Sequence, residues 1–334
     1  MKIPIAFYLL AALGGLATAF ASLPLWRTFC LRTGLVDDPG RRKIHDEPVP
    51  LAGGLAVMTA LVVPALLALL LLGLARANPG LVPAALFDSN IVERLVHGLN
   101  RRWLELAVIF LGALGMLVVG LLDDKHELRP APKFACPLVV AVLVAASGMR
   151  ITLFVTNVVF SYAITILWIL TVINAFNFMD NMNGLCGGLG AIGALYFAAV
   201  AGVHGQYLVT LIASLVCGAL LGFLPGNFPR ARAFLGDAGS HLVGYLLAVL
   251  AILPHFHTPR DPRSWTVLSP LLILAVPLGD LVWVVLLRWR RGQPFYVGDT
   301  NHLSHRLVQL GLSRTRAVLL IWVLAAVLGA LALL

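Results

Sequence analysis

The sequence predicts an all-α polytopic membrane protein of about ten transmembrane helices, with both termini outside and five cytoplasmic loops that gather the polar chemistry into an active site. Three observations carry this. Of 334 residues, 60% are hydrophobic and 12% charged, against about 25% charged in a soluble domain. Apolar stretches near the ~20 residues needed to cross a bilayer recur along the whole chain. The acids are sorted, falling almost wholly in the polar segments on one side of that alternation.

The stretches lie near 3–25, 51–75, 103–122, 134–149, 154–173, 186–203, 206–224, 239–254, 266–288 and 316–334. The first resembles a secretory leader in having Lys2, a long apolar run and small residues at Ala17, Ala19 and Ala21. The run continues past them to Trp26, too long for a leader core, so a retained first helix is expected. No soluble domain, linker, low-complexity tract or internal repeat breaks the chain, which reads as one integral-membrane domain, 1–334. The four cysteines (Cys30, Cys136, Cys186, Cys217) stand singly, which indicates neither a zinc site nor a disulfide framework.

Charge orients the helices. Sixteen of the 24 Lys and Arg fall on the side that holds residues 26–50, which places that side in the cytoplasm. The net charge of +9 then reflects topology and attraction to anionic lipid. No basic patch is interleaved with aromatics, so nucleic acid is not an expected partner. The inward segments hold Asp37, Asp38, Asp123, Asp124, Asp180, Asp237 and Asp299, with His45, His126, His302 and His305. The outward ones hold only Asp88, Glu93 and Asp261, besides Glu105 at a helix foot.

The polar run at 174–185, N-A-F-N-F-M-D-N-M-N-G-L, is the densest of these. Asn174, Asn177, Asp180 and Asn183 recur every third residue beside an apolar stretch, where polar groups are costly without partners. One Asn would serve as a helix cap. Four such residues point instead to a site for a polar ligand or a metal. In the first loop, Arg41, Arg42, Lys43 and His45 suit an anionic head group or a phosphate, with topogenic charge as the plain alternative. Gly53–Gly54 permit close backbone approach. In the second, Asp123 and Asp124 end an apolar helix, where the dipole disfavours anions, so a purely structural reading carries a penalty. Adjacent carboxylates can hold Mg²⁺, or one can act as a base. Lys133 opens the next helix, placed for a phosphate. In F-L-G-D-A-G-S, Asp237 reads either as an N-cap or, beside Gly236, Gly239 and Ser240, as part of an anion cradle with Mg²⁺. Asp299, His302 and His305 share one helical face near Arg306 and suit phosphate or sugar recognition. Asp280 lies inside the ninth helix, where an acid marks either a functional site or a buried pairing with Arg or Asn.

Together these loops resemble the polyprenyl-phosphate N-acetylhexosamine-1-phosphate transferases, a membrane family (glycosyltransferase family 4). It includes the enterobacterial-antigen and teichoic-acid initiators, the muramyl-pentapeptide translocase and the dolichol-linked GlcNAc-phosphate transferase. The motifs are D-D at 123–124, N-A-x-N-x-x-D at 174–180, F-L-G-D-x-G-S at 234–240 and H-x-x-H-R-L at 302–307, in order along nearly the whole chain. The resemblance implies transfer of a sugar 1-phosphate from a UDP-N-acetylhexosamine to a polyprenyl phosphate, with release of UMP. It implies Mg²⁺, with Mn²⁺ as a substitute, in a bacterial inner membrane with the site facing the cytoplasm. The implied partners are both substrates and the lipid bilayer, with a homodimer as an open assembly. By the same resemblance Asp237 and Asn177 would hold the metal, and Asp123 and Asp124 would be acceptor-side catalytic carboxylates alongside Asp237. Lys133 would meet the diphosphate and Phe234 and Asn183 the uracil. Asn174, Asp180, Lys43, His45 and Arg306 would complete the substrate site, and His302 and His305 would meet the diphosphate or sugar. Two positions depart from the common pattern: Asn183 stands where many bacterial members have Asp, and Ser304 takes the middle place of the H-x-H-H ending. That ending and P-L-A-G-G look closer to the GlcNAc-type branch than to the muramyl-pentapeptide one, which stays as an alternative. A transporter is the rival class, but it would place its polar groups near the midplane in repeated halves.

Overall fold

The computed structural model describes residues 5–38, 47–78, 89–153, 155–254, 264–294 and 301–334. The described chain is almost wholly helical. Helix α1 (Ile5–Thr33) runs eight residues past the expected end, carrying Arg27 and Arg32 onto the helix. A two-residue antiparallel pair follows, β1 (Val36–Asp37) with β2 (Val49–Pro50), in which Val36 faces Pro50. Then come α2 (Gly53–Ala77), α3 (Ser89–Arg101), α4 (Trp103–His126), α5 (Pro130–Ala146), α6 (Val158–Met179), α7 (Leu185–Val203), α8 (Tyr207–Asn227) and α9 (Gly236–Leu250). A 3₁₀ turn (Ser264–Leu268) leads to α10 (Ser269–Ile273) and α11 (Ala275–Arg290), before α12 (Leu303–Gln309) and α13 (Arg314–Leu331).

Among the described residues seven helices are long and apolar enough to cross a membrane, or eight if Thr266–Ile273 and Ala275–Arg290, bent by 69°, count as one span. Helices α5 and α9 fall short of that length, with 17 and 15 residues. Helix α3 was not expected as an element, because its pattern is amphipathic rather than apolar. It lays Leu95, Val96 and Leu99 on Leu72 and Ala75 of α2.

Helix α9 is the hub. Every residue in it except Asp237 is buried, and it packs against α2, α4, α6 and α7. A helix enclosed on all sides can be apolar all round, and most of this one is, from Leu242 to Leu250. Lipid offers helices little hydrophobic reason to associate, so small residues set how closely they pack. Gly218 and Gly222 on α8, four apart, lie against the backbone of Ala12 and Leu16 on α1. The start of α2 does the same for the hub: Gly53 N–H donates to Phe234 O at 2.9 Å and Gly54 N–H to Leu235 O at 3.2 Å. The close approach expected of Gly53–Gly54 is therefore present, and it docks the α9 N-terminus.

A side chain at Gly54 would meet the backbone of Gly239 at 2.7 Å, whereas Gly73, on the same helix, faces nothing within 4 Å. Gly54→Ala is therefore expected to lose about 1–3 kcal/mol through forced separation of α2 and α9. Gly73→Ala should gain about 0.5–1 kcal/mol from helix propensity. Thermal unfolding in one detergent, compared for the two variants, checks the opposite signs.

Candidate active site

The last turn of α4 carries Asp123 and Asp124, both facing inward. Asp123 is buried; its Oδ1 accepts from Leu128 N–H at 2.8 Å. Its Oδ2 ion-pairs with Lys133 Nζ on the first turn of α5, and its carboxyl also meets that of Asp237. The sharp reversal that allows this is made at Glu127, which caps α4 in the left-handed region with φ 47°. Asp124 turns the other way. Its two oxygens accept from the backbone N–H groups of Asp237 at 2.8 Å and Ala238 at 3.1 Å. It thus caps α9 from a different helix. Gly236, at φ +74°, leaves the room: a side chain there would meet Asp124 Oδ2 at 2.7 Å.

This corrects two expectations. Asp237 is not the N-cap of its own helix, which Leu235 occupies. Nor is the α9 N-terminus an open anion cradle, since carboxylates of the chain itself fill it: Asp124 as described, and Asp180, which accepts from Gly236 N–H. Asp237 instead holds its side chain outward from the helix. Its Oδ2 takes Lys133 Nζ at 2.8 Å and its Oδ1 takes Asn177 Nδ2 at 2.7 Å. Asn177 Nδ2 also reaches Ser240 Oγ at 3.1 Å, and buried His241 places Nδ1 2.7 Å from Asp237 O. Lys133, expected from its place at the head of α5 to meet a phosphate, here bridges Asp123 and Asp237. Asn177 meets Asp237 through nitrogen, so in this arrangement it orients that carboxylate.

The Asn-rich run divides its labour rather than lining one ligand site. Asn174 lies inside α6, and its Nδ2 donates back to Leu170 O at 2.7 Å. Asp180 ends α6. Although its edge reaches solvent, burial first, then the charges of Asp237 and Asp124, push its carboxyl up to about 8. Asn183 Nδ2 reaches Pro229 O at 3.3 Å, tying this loop to the one before α9. Two neighbours not singled out from the sequence complete the clamp. Asn227 Oδ1 accepts Gly184 N–H at 2.6 Å, and Asn181 Oδ1 accepts Ser304 Oγ–H at 2.7 Å.

At the α11–α12 side, buried Asp280 pairs with His302: Oδ2 to Nδ1 at 2.7 Å, with Oδ1 accepting Leu303 N–H at 2.6 Å. The expected Arg or Asn partner is thus a histidine. His305 stands with its ring centroid 6.3 Å from that of His302. Arg306 is exposed and stacks over Trp283 at 4.8 Å. Phe234 is half-buried, its N–H donating to Pro50 O at 3.0 Å. Lys43 and His45 lie outside the described residues, as do Arg41, Arg42 and Asp299. A separate cleft of about 330 Å³, lined by Arg150, Thr152 and Ser161 among others, opens at the far end of α6 and holds no carboxylate.

Among the described residues no three His, Cys, Asp or Glu side chains form a ready metal cage. Asp123 and Asp237, which meet each other directly as well as through the Lys133 ammonium, supply a pair of hard oxygen donors. Mg²⁺ suits such a set, because it takes one or two carboxylates and completes its shell from water and phosphate.

Two outcomes follow from this geometry. Asp124→Ala should lower stability by about 1–2 kcal/mol through loss of the α9 cap, and Asp124→Asn by less, since an amide oxygen remains; denaturant titration checks the order. Asp180 releases its proton near pH 4 when unfolded but near 8 when folded. Its contribution to stability is then full below about pH 4 and lost as pH rises through 8. With chelator present, the wild type should lose stability relative to Asp180→Asn across that range, by at most about 1 kcal/mol per pH unit given partial exposure. Melting temperatures that differ by a constant amount at every pH would rule this out.

The family model for glycosyl transferase family 4 matches residues 106–255, from α4 through the end of α9. A decaprenyl-phosphate N-acetylglucosaminephosphotransferase of Mycobacterium tuberculosis is 32% identical over 343 residues, covering 94% of this chain and 79% of the relative. An undecaprenyl-phosphate alpha-N-acetylglucosaminyl 1-phosphate transferase of Haemophilus influenzae is 29% identical, covering 95% and 83%. A Bacillus subtilis protein named "Probable undecaprenyl-phosphate N-acetylglucosaminyl 1-phosphate transferase" is 28% identical, covering 92% and 79%. With likeness running almost end to end, and with the carboxylates of α4 and α9 inside the matched segment, the chain belongs to glycosyl transferase family 4.

Proposed function

We propose that this protein transfers N-acetylglucosamine 1-phosphate from UDP-N-acetylglucosamine to undecaprenyl phosphate, releasing UMP. The relatives' names supply the sugar phosphate and the polyprenyl acceptor. The observation that carries the reading is the meeting of Asp123, Asp124, Asp237, Asn177 and Lys133 at one end of the helix bundle. The bond formed joins an oxygen of the lipid phosphate to the phosphorus that bears the sugar. The bond broken joins that phosphorus to the departing UMP oxygen. Both reactants are anionic and repel, so the site must supply cations.

Bound Mg²⁺ would offset phosphate charge and orient the two groups for displacement. Asp237, fixed by Asn177, and Asp123 would hold it. Lys133 would give its ammonium to the diphosphate, a shift of one side chain already next to both carboxylates. Asp124 keeps the α9 N-terminus rigid beneath them. We read α5, α9 and the bent pair as three further crossings, ten in all. The Lys and Arg bias then puts both termini outside and the carboxylates at the cytoplasmic face of a bacterial inner membrane. That location suits one substrate dissolved in water and another anchored in lipid.

Purified protein with UDP-N-acetylglucosamine, undecaprenyl phosphate and Mg²⁺ should release UMP, and EDTA should stop it. Asp237→Ala should lower the rate by at least about 1000-fold while the protein still inserts. Silence toward a donor panel that includes UDP-N-acetylgalactosamine and the UDP-muramyl pentapeptide would overturn the assignment. A near-normal rate for Asp237→Ala would remove that residue from the centre.

A further inference from the structure

The Asp280–His302 pair takes no part in the phosphate chemistry above, yet it is among the most buried polar contacts of the molecule, with side chains 1% and 7% exposed. An acid in the apolar span of α11 is costly unless both oxygens find donors. Here both do. Oδ1 accepts Leu303 N–H and so caps α12, as Asp124 caps α9. Oδ2 faces His302 Nδ1 at 2.7 Å. A carboxylate at that distance calls for a proton on Nδ1 and leaves Nε2 as the ring atom for other partners. Among the described residues no hydrogen bond engages Nε2. The ring plane is held as well: Phe178 meets it edge-on at 5.6 Å, with the Arg288 guanidinium over the other ring at 4.9 Å. Ser304 Oγ, donating to Asn181, fixes the first turn of α12 to the loop that follows Asn177 and Asp180.

We propose that Asp280 is a positioning residue for His302, fixing the ring's proton on Nδ1 and its plane so that Nε2 meets the sugar nucleotide. The proposal rests on the transferase reading for its substrate, but the contact itself can be tested without turnover. Asp280→Asn separates the two jobs of the carboxylate. The amide oxygen still accepts Leu303 N–H, whereas the amide nitrogen faces His302 Nδ1 as a donor and drives the ring proton to Nε2.

With UDP-N-acetylglucosamine as donor, Asp280→Asn should lower kcat/KM at least about tenfold, with a melting temperature close to wild type. His302→Gln should lower it by as much or more, and the double variant should fall within about twofold of His302→Gln alone. Losses that multiply in the double variant, or an unimpaired Asp280→Asn, would overturn the proposal. Nitrogen-15 spectra of histidine-labelled wild type in nanodiscs, with the His302 signal found by its loss in His302→Gln, should show the proton on Nδ1. A proton on Nε2 alone would overturn it as well. That spectrum decides the matter if Asp280→Asn fails to fold. It also decides if the wild type proves inactive, in which case it is the transferase reading that fails.

Discussion

A helix that begins inside a packed, apolar body leaves N–H groups that water cannot reach, and in this protein they are satisfied from outside the helix. Asp124 and Asp180 cap α9, Asp280 caps α12, and Asn227 meets the N–H of Gly184 at the head of α7. None of these caps belongs to the helix it serves. Ordinary local caps close a helix end without reference to the rest of the fold. A cap supplied by another helix closes it only when the two are correctly docked. The polar end of the bundle is therefore held by long-range hydrogen bonds, and removing any one disturbs two elements at once.

That constraint explains the sequence at its oddest places. Two acids at the C-terminus of α4 oppose the dipole of their own helix. They are stabilised by what lies across from them: the N-terminus of α9 for Asp124, and Leu128 N–H with the Lys133 ammonium for Asp123. Position 236 is glycine for two reasons: its backbone is in the left-handed region, and the carboxylate of Asp124 occupies the space a side chain would take. With Asp124 as the cap, Asp237 is free of capping duty, and its carboxylate can face Lys133 and Asn177.

Much of this was legible in the residues. Hydropathy gave the class of fold, and the sorting of acids to alternate loops anticipated that Asp123, Asp124, Asn177 and Asp237 would meet. What could not be read was who pairs with whom. The spacing of Asn174, Asn177, Asp180 and Asn183 suggested one shared ligand, but no two of them serve the same partner, because α6 extends six residues beyond its apolar run and carries the first two on its surface. Spacing along one segment says little about the element packed across from it. Asn181, Asn227 and His241 gave no signal at all, being single polar residues whose meaning depends on a distant partner. The histidine across from Asp280 lies 22 residues away, at the head of another helix. The GlcNAc-type ending was visible, while the reason Ser304 fits there, a buried hydroxyl bonded to Asn181, was not.

The charge at the centre bears on how such a rigid site meets its substrates. Asp180 holds its proton to about pH 8 and so adds no charge at neutral pH. Lys133 is the cation that touches both Asp123 and Asp237. Asp124 is further offset by the partial positive charge at the start of α9. Asp123 and Asp237 thus share one ammonium between two carboxylates. Such a pair favours a divalent cation, and gaining one would release the ammonium for a phosphate. A diphosphate alone would be repelled from this place; a diphosphate arriving with its cation would not. In the proposed reaction, carboxylates crowded around one ammonium would favour a diphosphate that arrives with its cation over a bare one, and the trans caps beneath them hold the carboxylates in place.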